Sequence, residues 1–391
     1  MKKRISYILM LVLIIVNTLY IRLDVTAREN EPSLYALSAV MLDGDTGRVL
    51  YGKDENEARP MASTTKIMTL IIALEYGNSE DIVTVSSYAS KMPDVQLGIN
   101  EGEQYRLGDL IYSMMLESHN DSAVAIAEHI GGDVKGFADM MNKKALELGL
   151  SDTYFITPNG LDSSDEKGIH HTTARELGLI MKYCVMDSPA KDKFMEICQT
   201  RSYSFKDYDG KRSFTVNNKN AFLDMMSGVL AGKTGFTNDA GYCYVCAVTR
   251  DDRTYIIALL GCGWPNNKSY KWSDTKNLLN YGFSNFYERR IFDKDYPLER
   301  LKVYKGIEAE EVLLYVDDEL SLIMADDENV SYEVNLPEAV TAPVYKGDIA
   351  GSVIIFINDE PFKSFNIYYG ENIERINYKY YFQKAVYDFL L

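Results

Sequence analysis

Histidine is scarce in this chain: four occur in 391 residues, at positions 119, 129, 170 and 171. That scarcity argues against a zinc site, and no metal or cofactor is expected. Cysteine is nearly as rare. The five (Cys184, Cys198, Cys243, Cys246 and Cys262) are odd in number and scattered, so they frame no disulfide scaffold. Cys243 and Cys246 have C-x-x-C spacing, but Tyr242, Tyr244, Val245 and Val248 around them read as a strand. Positions i and i+3 of a strand face opposite ways, which spoils a metal or redox pair. The cysteines are therefore expected as buried thiols. Basic residues are short as well, 41 against 57 acidic ones, for a net charge of −16. So acidic a body repels nucleic acid and offers no general basic surface to anionic polymers. No internal repeat or low-complexity segment occurs.

What is present is ordinary globular composition, 46% hydrophobic and 25% charged, at a length that suggests two domains. The amino terminus differs. Lys2, Lys3 and Arg4 precede the apolar run Ile8–Val16, and Val25, Thr26 and Ala27 follow as a small-residue site. Residues 1–27 thus read as a secretory signal, with an uncleaved membrane anchor as the alternative. Their removal takes away four basic residues and one acidic one, moving the net charge from −16 to −19.

Ser38–Leu42 and Arg48–Tyr51 flank a turn at Asp43–Gly47 and read as a hairpin. Helical patterns follow from Arg106, from Ala123 to Gly131, from Phe137 to Leu148 and from Thr172 to Val185. Strands are expected at Val229–Thr237, Tyr242–Arg250 and Thr254–Leu260, then a helix over Ser273–Tyr287. Strands at both ends with helices between them suggest one antiparallel sheet carrying packed helices, over residues 33–290. A linker at Asp293–Pro297 leads to short strands over 298–376, a smaller β domain. In the tail, 377–391, apolar residues at 378, 381, 382, 385, 386 and 389 form a helical stripe. The stripe either meets a membrane surface or docks on the β domain.

The stretch that organises the chain is Pro60–Thr69. An apolar run after Lys66 reads as a buried helix stopping at Gly77. On it Ser63 and Lys66 stand three positions apart and share a face, as a nucleophile and its base would. Alone, S-x-x-K is more often a serine N-cap followed by a solvated lysine. Two further elements change that: Ser118-His119-Asn120 in a helical break, and Lys233-Thr234-Gly235 on a strand. S-x-x-K, S-x-N and K-T-G in this order are the signature of penicillin-recognising serine enzymes. With Leu148-Gly149-Leu150, Pro158–Asp162, His171–Arg175 and Gly232–Thr237, residues 33–285 resemble the D-alanyl-D-alanine carboxypeptidases, the low-molecular-mass penicillin-binding proteins.

The resemblance implies an α+β fold: a β-lactamase/transpeptidase-like domain, its antiparallel sheet flanked by helices, followed by a smaller all-β domain. It implies that Ser63 attacks the carbonyl between the terminal D-alanines of a peptidoglycan stem peptide, with Lys66 as base and Ser118 as proton relay. Asn120 would hold Lys66 and the substrate amide, Lys233 and Thr234 the terminal carboxylate, and Gly235 would let the peptide lie along the strand. The backbone N–H groups of Ser63 and Phe236 would form the oxyanion hole. β-Lactams would be covalent inhibitors, and the enzyme would work outside the cytoplasm of a bacterium, at the wall or membrane surface. Three residues depart from the family's pattern: His119 where glycine is usual, Asn159 where histidine is common, and Gly232 where leucine is usual. A class A β-lactamase would need a Glu-x-x-Leu-Asn element, whose nearest match, Glu147–Ser151, lacks the asparagine. A non-catalytic wall-binding protein on the same fold would be expected to have lost one of Ser63, Lys66, Ser118 or Lys233.

Overall fold

The computed structural model describes residues 31–93 and 95–390. The export segment expected over 1–27 lies outside the described residues. The chain divides into two compact units between Gly282 and Phe283. That division falls ahead of the linker expected at 293–297, because Phe286–Phe292 is a strand that pairs with Leu320–Ala325 in the second unit.

The first unit contains the strands β1 (Ser38–Asp43), β2 (Val49–Lys53), β3 (Val229–Thr237), β4 (Gly241–Arg250) and β5 (Arg253–Leu260). They form one antiparallel sheet in the order β2-β1-β5-β4-β3. The nearly continuous apolar sequences of β4 and β5 suit central strands buried on both faces. β3 lies at the edge and alternates more, with Thr234 half-buried and Phe236 exposed. Its register sets Thr234 opposite Tyr244 and Phe236 opposite Tyr242.

The longer helices are α1 (Lys66–Tyr76), α2 (Leu107–Glu117), α3 (Asn120–Gly131), α4 (Val134–Glu147), α5 (Ala174–Lys182), α6 (Lys191–Gln199) and α7 (Tyr270–Asn285). α1 is buried from Lys66 to Ala73 because other elements surround it, which its unbroken apolar run permits. α5 packs on β1, β4 and β5, while α6 covers part of β3. Gln199 on α6 donates to the carbonyls of Val229 and Leu230 and so occupies the start of the β3 edge. All five cysteines are free and buried.

The second unit is all-β up to residue 376, with a core drawn from residues such as Val312, Met324, Val353, Ile355 and Ile367. Its largest sheet has four strands, in the order Leu314–Tyr315, Glu360–Tyr369, Ile349–Ile357, Val330–Asn335. A final helix, α8 (Tyr378–Leu390), has no buried residue. Tyr378, Tyr381, Phe382 and Phe389 are all more than half exposed, so the docked-helix alternative for this stripe is not what is observed. Among the described residues no helix is long and apolar enough to cross a membrane.

Candidate active site

Residues 62–65 form a tight 3-10 turn, and the α-helix begins only at Lys66. The expected helical spacing survives this difference, because side chains at i and i+3 eclipse in a 3-10 turn. Ala62 enters the turn at φ 49°, an uncommon conformation for a residue with a side chain. Neighbours enforce it. Gly160, at φ +82°, passes so close that a Cβ there would lie 2.0 Å from the Ala62 carbonyl. From the other side Gly235 of β3 presses on the turn, where a Cβ would sit 2.9 Å from the Ser63 nitrogen. The threonines tie the turn down further: Thr64 donates to the Met61 carbonyl (2.6 Å), Thr65 to Ala62 (2.9 Å) and Thr69 to Pro158 (2.6 Å).

Lys66 is wholly buried, and its Nζ has three oxygen neighbours: Ser63 Oγ at 3.0 Å, Asn120 Oδ1 at 2.9 Å and the Asn159 carbonyl at 2.6 Å. Burial holds its pKa well below the usual lysine range and the Lys233 ammonium adds to this, while Asp121 opposes them. Two of the three oxygens, an amide and a backbone carbonyl, only accept hydrogen bonds. A neutral Lys66 amine therefore gives its two N–H groups to these and turns its lone pair to the one neighbour with a proton to offer, the Ser63 hydroxyl.

Ser118 caps α2 in the left-handed conformation, φ 70° and ψ 28°. Its Oγ accepts from Lys233 Nζ at 2.9 Å, and the same nitrogen donates to the Thr234 carbonyl at 2.9 Å. Among the described residues, no hydrogen bond joins Ser118 to Ser63 or Lys66. Lys233 is buried, which pushes its pKa down to about 7 against the opposing influence of Cys198. Asn120, the first residue of α3, also donates through Nδ2 to the Pro93 carbonyl (3.1 Å) and through its backbone N–H to Val95 (2.7 Å). The next residue, Asp121, accepts the N–H groups of Leu97, Gly98 and Ile99, so the segment that brings Val95 to the site is held from α3.

Ser63, Ser118, Thr234, Gly235 and Phe236 line one open cavity of about 510 Å³, together with Val95, Glu117, Tyr242 and Trp272. Three more lysines, Lys219, Lys268 and Lys271, line it too, an electropositive cleft in an acidic protein. Lys271 is buried, with its Nζ 4.8 Å from the Tyr242 ring centre and 4.6 Å from that of Trp272. Burial, then Lys268, lowers its pKa to about 8. Sequence reasoning missed Lys271, because one lysine in a polar helical pattern carries no mark of an aromatic cage. It also missed the Asn159 carbonyl, a backbone group for which the Pro158–Asp162 turn signal was the sole hint. At Gly232 the Tyr244 hydroxyl and the Asn220 amide fill the space that a side chain would take. Glu147 stands at the end of α4, paired with Lys143 and Lys144, and does not line this cavity.

Two family descriptions match. One, D-alanyl-D-alanine carboxypeptidase, covers residues 25–263, and the other, penicillin-binding protein 5, C-terminal domain, covers 286–375. The chain belongs to the D-alanyl-D-alanine carboxypeptidase family. Over 339 residues it is 29% identical to the D-alanyl-D-alanine carboxypeptidase DacF of Bacillus subtilis, covering 84% of this chain and 83% of that one. To the carboxypeptidase DacB2 of Mycobacterium tuberculosis it is 31% identical, over 63% of this chain and 81% of that one. Penicillin-binding protein 5 of Haemophilus influenzae superposes with a TM-score of 0.70 at 26% identity, over 88% of this chain and 99% of that structure. The fold is accordingly the carboxypeptidase domain followed by the family's C-terminal all-β domain, and the enzyme is a serine-type hydrolase of the carboxypeptidase class.

A buried histidine sets an acid limit on the stability of the fold. His170 accepts the Ile156 N–H at Nδ1 (3.0 Å), which leaves Nε2–H to donate to Thr65 Oγ1 at 2.8 Å, beneath the Ser63 turn. Burial, with a smaller push from His171, lowers its pKa to about 3. The unfolded chain takes up this proton near pH 6.5 and the folded one does not, so stability is full above that pH and drains away as pH falls toward 3. The loss amounts to about 2 kcal/mol by about pH 5, at about 1.4 kcal/mol per pH unit. Thermal melts from pH 7.5 to 5 should show the midpoint falling with pH. His170→Gln should lower the midpoint at pH 7.5 and flatten the slope, and equal slopes would rule out this assignment.

Proposed function

We propose that this carboxypeptidase cleaves the bond between the two terminal D-alanines of a peptidoglycan stem peptide through an acyl-enzyme on Ser63. Lys66, neutral in its buried site, takes the Ser63 proton as Oγ bonds to the carbonyl carbon. The proton passes by way of Ser118 to the leaving D-alanine nitrogen, and water then hydrolyses the ester with Lys66 as base. One observation carries this reading: of the three oxygens around Lys66 Nζ, only that of Ser63 can give up a proton. The oxyanion is assigned to the N–H groups of Ser63 and Phe236, at the point where Gly235 allows β3 to meet the serine turn. The substrate backbone extends the sheet at the β3 edge beyond the part that Gln199 occupies. Its terminal carboxylate is met by Thr234 and by the positive field of Lys233, and Asn120 is shared between Lys66 and the substrate amide. Intact-protein mass spectrometry after incubation with a penicillin, and assay of D-alanine released from a diacyl-Lys-D-Ala-D-Ala peptide, test the reading: a penicilloyl adduct on Ser63 with continuous D-alanine release supports it, and the absence of both overturns it.

We further propose that residues 1–27 direct export, that the enzyme acts on the outer side of the cytoplasmic membrane, and that β-lactams acylate Ser63. The uncovered aromatic stripe of α8 supports attachment to a membrane surface. A chain ending at Asn377 keeps the pairings of Ile373 with Val344 and of Arg375 with Gly306. It should retain peptidase activity and lose co-sedimentation with phosphatidylglycerol vesicles. A full mature chain that never sediments with vesicles would assign the helix another role.

A further inference from the structure

The reading above leaves His119 unused, although it separates Ser118 from Asn120 and is buried. Its backbone, at φ −63° and ψ 125°, has no need of the glycine usual at this place, so the side chain is free to matter. The ring is held on two sides. Nδ1 lies 2.8 Å from Ser113 Oγ, which lies 2.8 Å from Ser122 Oγ, and Nε2 lies 3.5 Å from Glu117 Oε2. The other Glu117 oxygen accepts the Asn217 N–H at 2.9 Å and faces Lys219 Nζ at 3.4 Å. Glu117 and Lys219 both line the substrate cavity. The imidazole thus ties the left-handed turn at Ser118 to the body of α2 on one side and to the cavity wall on the other.

We propose that His119 is a positioning residue: clamped in its neutral form between Ser113 and Glu117, it holds the turn that aims the Ser118 hydroxyl at Lys233. This rests on the reading of Ser118 as the proton relay. Proton bookkeeping makes the clamp specific to the neutral ring. With the Glu117 carboxylate facing Nε2–H, Nδ1 is the acceptor, Ser113 donates to it, and Ser122 donates to Ser113. A proton on Nδ1 forces Ser113 to turn from donor to acceptor and leaves one of the two serine protons without its partner, all inside the core. The titratable groups around the ring are Glu117 on α2, Asp121 on α3, Lys66 on α1 and Lys219 just after Asn217. Burial, the largest influence, opposes protonation together with the Lys219 ammonium, the two carboxylates favour it, and Lys66 opposes it only in its charged form.

The test is the rate of penicillin acylation of the full mature chain from pH 5 to 9, for the wild type and three variants. Ser113→Ala removes the donor to Nδ1, so the ring takes its proton more readily and the acid limb should move to higher pH. Glu117→Gln keeps an acceptor for the Asn217 N–H but removes the facing charge, so the limb should move to lower pH. His119→Gly should acylate about tenfold more slowly on the plateau, the scale of a misaimed catalytic group. Loosened packing alone would slow both conservative variants at every pH without moving the limb in opposite senses. Shifts in the same direction, or none, would therefore overturn the proposal, even if His119→Gly does not fold. A wild type that penicillin never acylates at Ser63 would instead sink the reading of the site itself.

Discussion

Ser63→Ala is expected to end both D-alanine release and covalent labelling by penicillin while the fold stays intact. In the proposed mechanism the oxygen removed is the one that bonds to the substrate carbon, and the neighbouring hydroxyls of the turn are not available to replace it. Thr64 and Thr65 have their hydroxyls committed to the Met61 and Ala62 carbonyls. A drop of at least about 10⁴-fold is the scale for losing a nucleophile whose base depends on it. Little structure should be lost, because among the described residues Ser63 Oγ hydrogen-bonds only with Lys66 and, at 3.4 Å, the Asn159 carbonyl. Lys66 keeps both of its obligate acceptors in the variant, so its neutral amine stays hydrogen-bonded. The check is paired: labelling read by mass, folding read by the thermal midpoint. A variant that melts like the wild type and still labels would place the nucleophile elsewhere.

The parts of this site legible in the sequence are those encoded by side-chain type at fixed spacing. Ser63 with Lys66, Ser118 with Asn120, and Lys233 through Gly235 stand out because each cluster sits on one local element. The sheet was legible for a similar reason: β4 and β5 are apolar along nearly their whole length, as doubly covered strands must be. What escaped depends on contacts across the chain or on the backbone. The hairpin Ser202–Lys206 with Ser213–Asn217 is an exception, because polar and apolar residues alternate along both of its strands and the signal is present in the sequence. That α3 begins at Asn120 instead of Ala123 is hidden, because the apolar run starts only at Ala123 and His119 makes no side-chain capping bond to mark the start. The division between the units is hard to read because Glu288, Arg289 and Arg290 make Phe286–Phe292 look like solvent-facing chain, while its pairing partner lies about thirty residues on. The Asn159 carbonyl could not be read at all: any residue at 159 supplies the same oxygen, and only the fold decides that it meets Lys66.

That carbonyl bears on the second large effect, the lifetime of the penicilloyl enzyme. Acylation by penicillin and by a D-Ala-D-Ala peptide should proceed alike, since both present a carbonyl to Ser63. Deacylation separates them, because a water must then be activated against the ester. In a class A β-lactamase a glutamate carboxylate serves that water. Here the place beside Lys66 and Ser63 is taken by the Asn159 carbonyl, and among the described residues no carboxylate hydrogen-bonds to either one. Glu147, the nearest sequence match to the lactamase glutamate, is spent at the end of α4 on Lys143 and Lys144. In the proposed mechanism water activation falls to Lys66, with Ser118 as carrier. After peptide acylation the D-alanine departs and water can enter beside these groups. After penicillin acylation the leaving nitrogen stays tethered to the acyl chain and keeps the approach closed. The penicilloyl adduct should therefore outlast the peptide acyl-enzyme by about a thousandfold or more, about 4 kcal/mol in barrier height. Time-resolved mass spectrometry should find one penicilloyl group per chain persisting for minutes, while penicillin-free enzyme from the same preparation releases D-alanine continuously. Rapid multiple turnover of penicillin with no trapped adduct would mean that the site activates water without a carboxylate as well as a lactamase does with one, and the assignment of deacylation to Lys66 and Ser118 would fall.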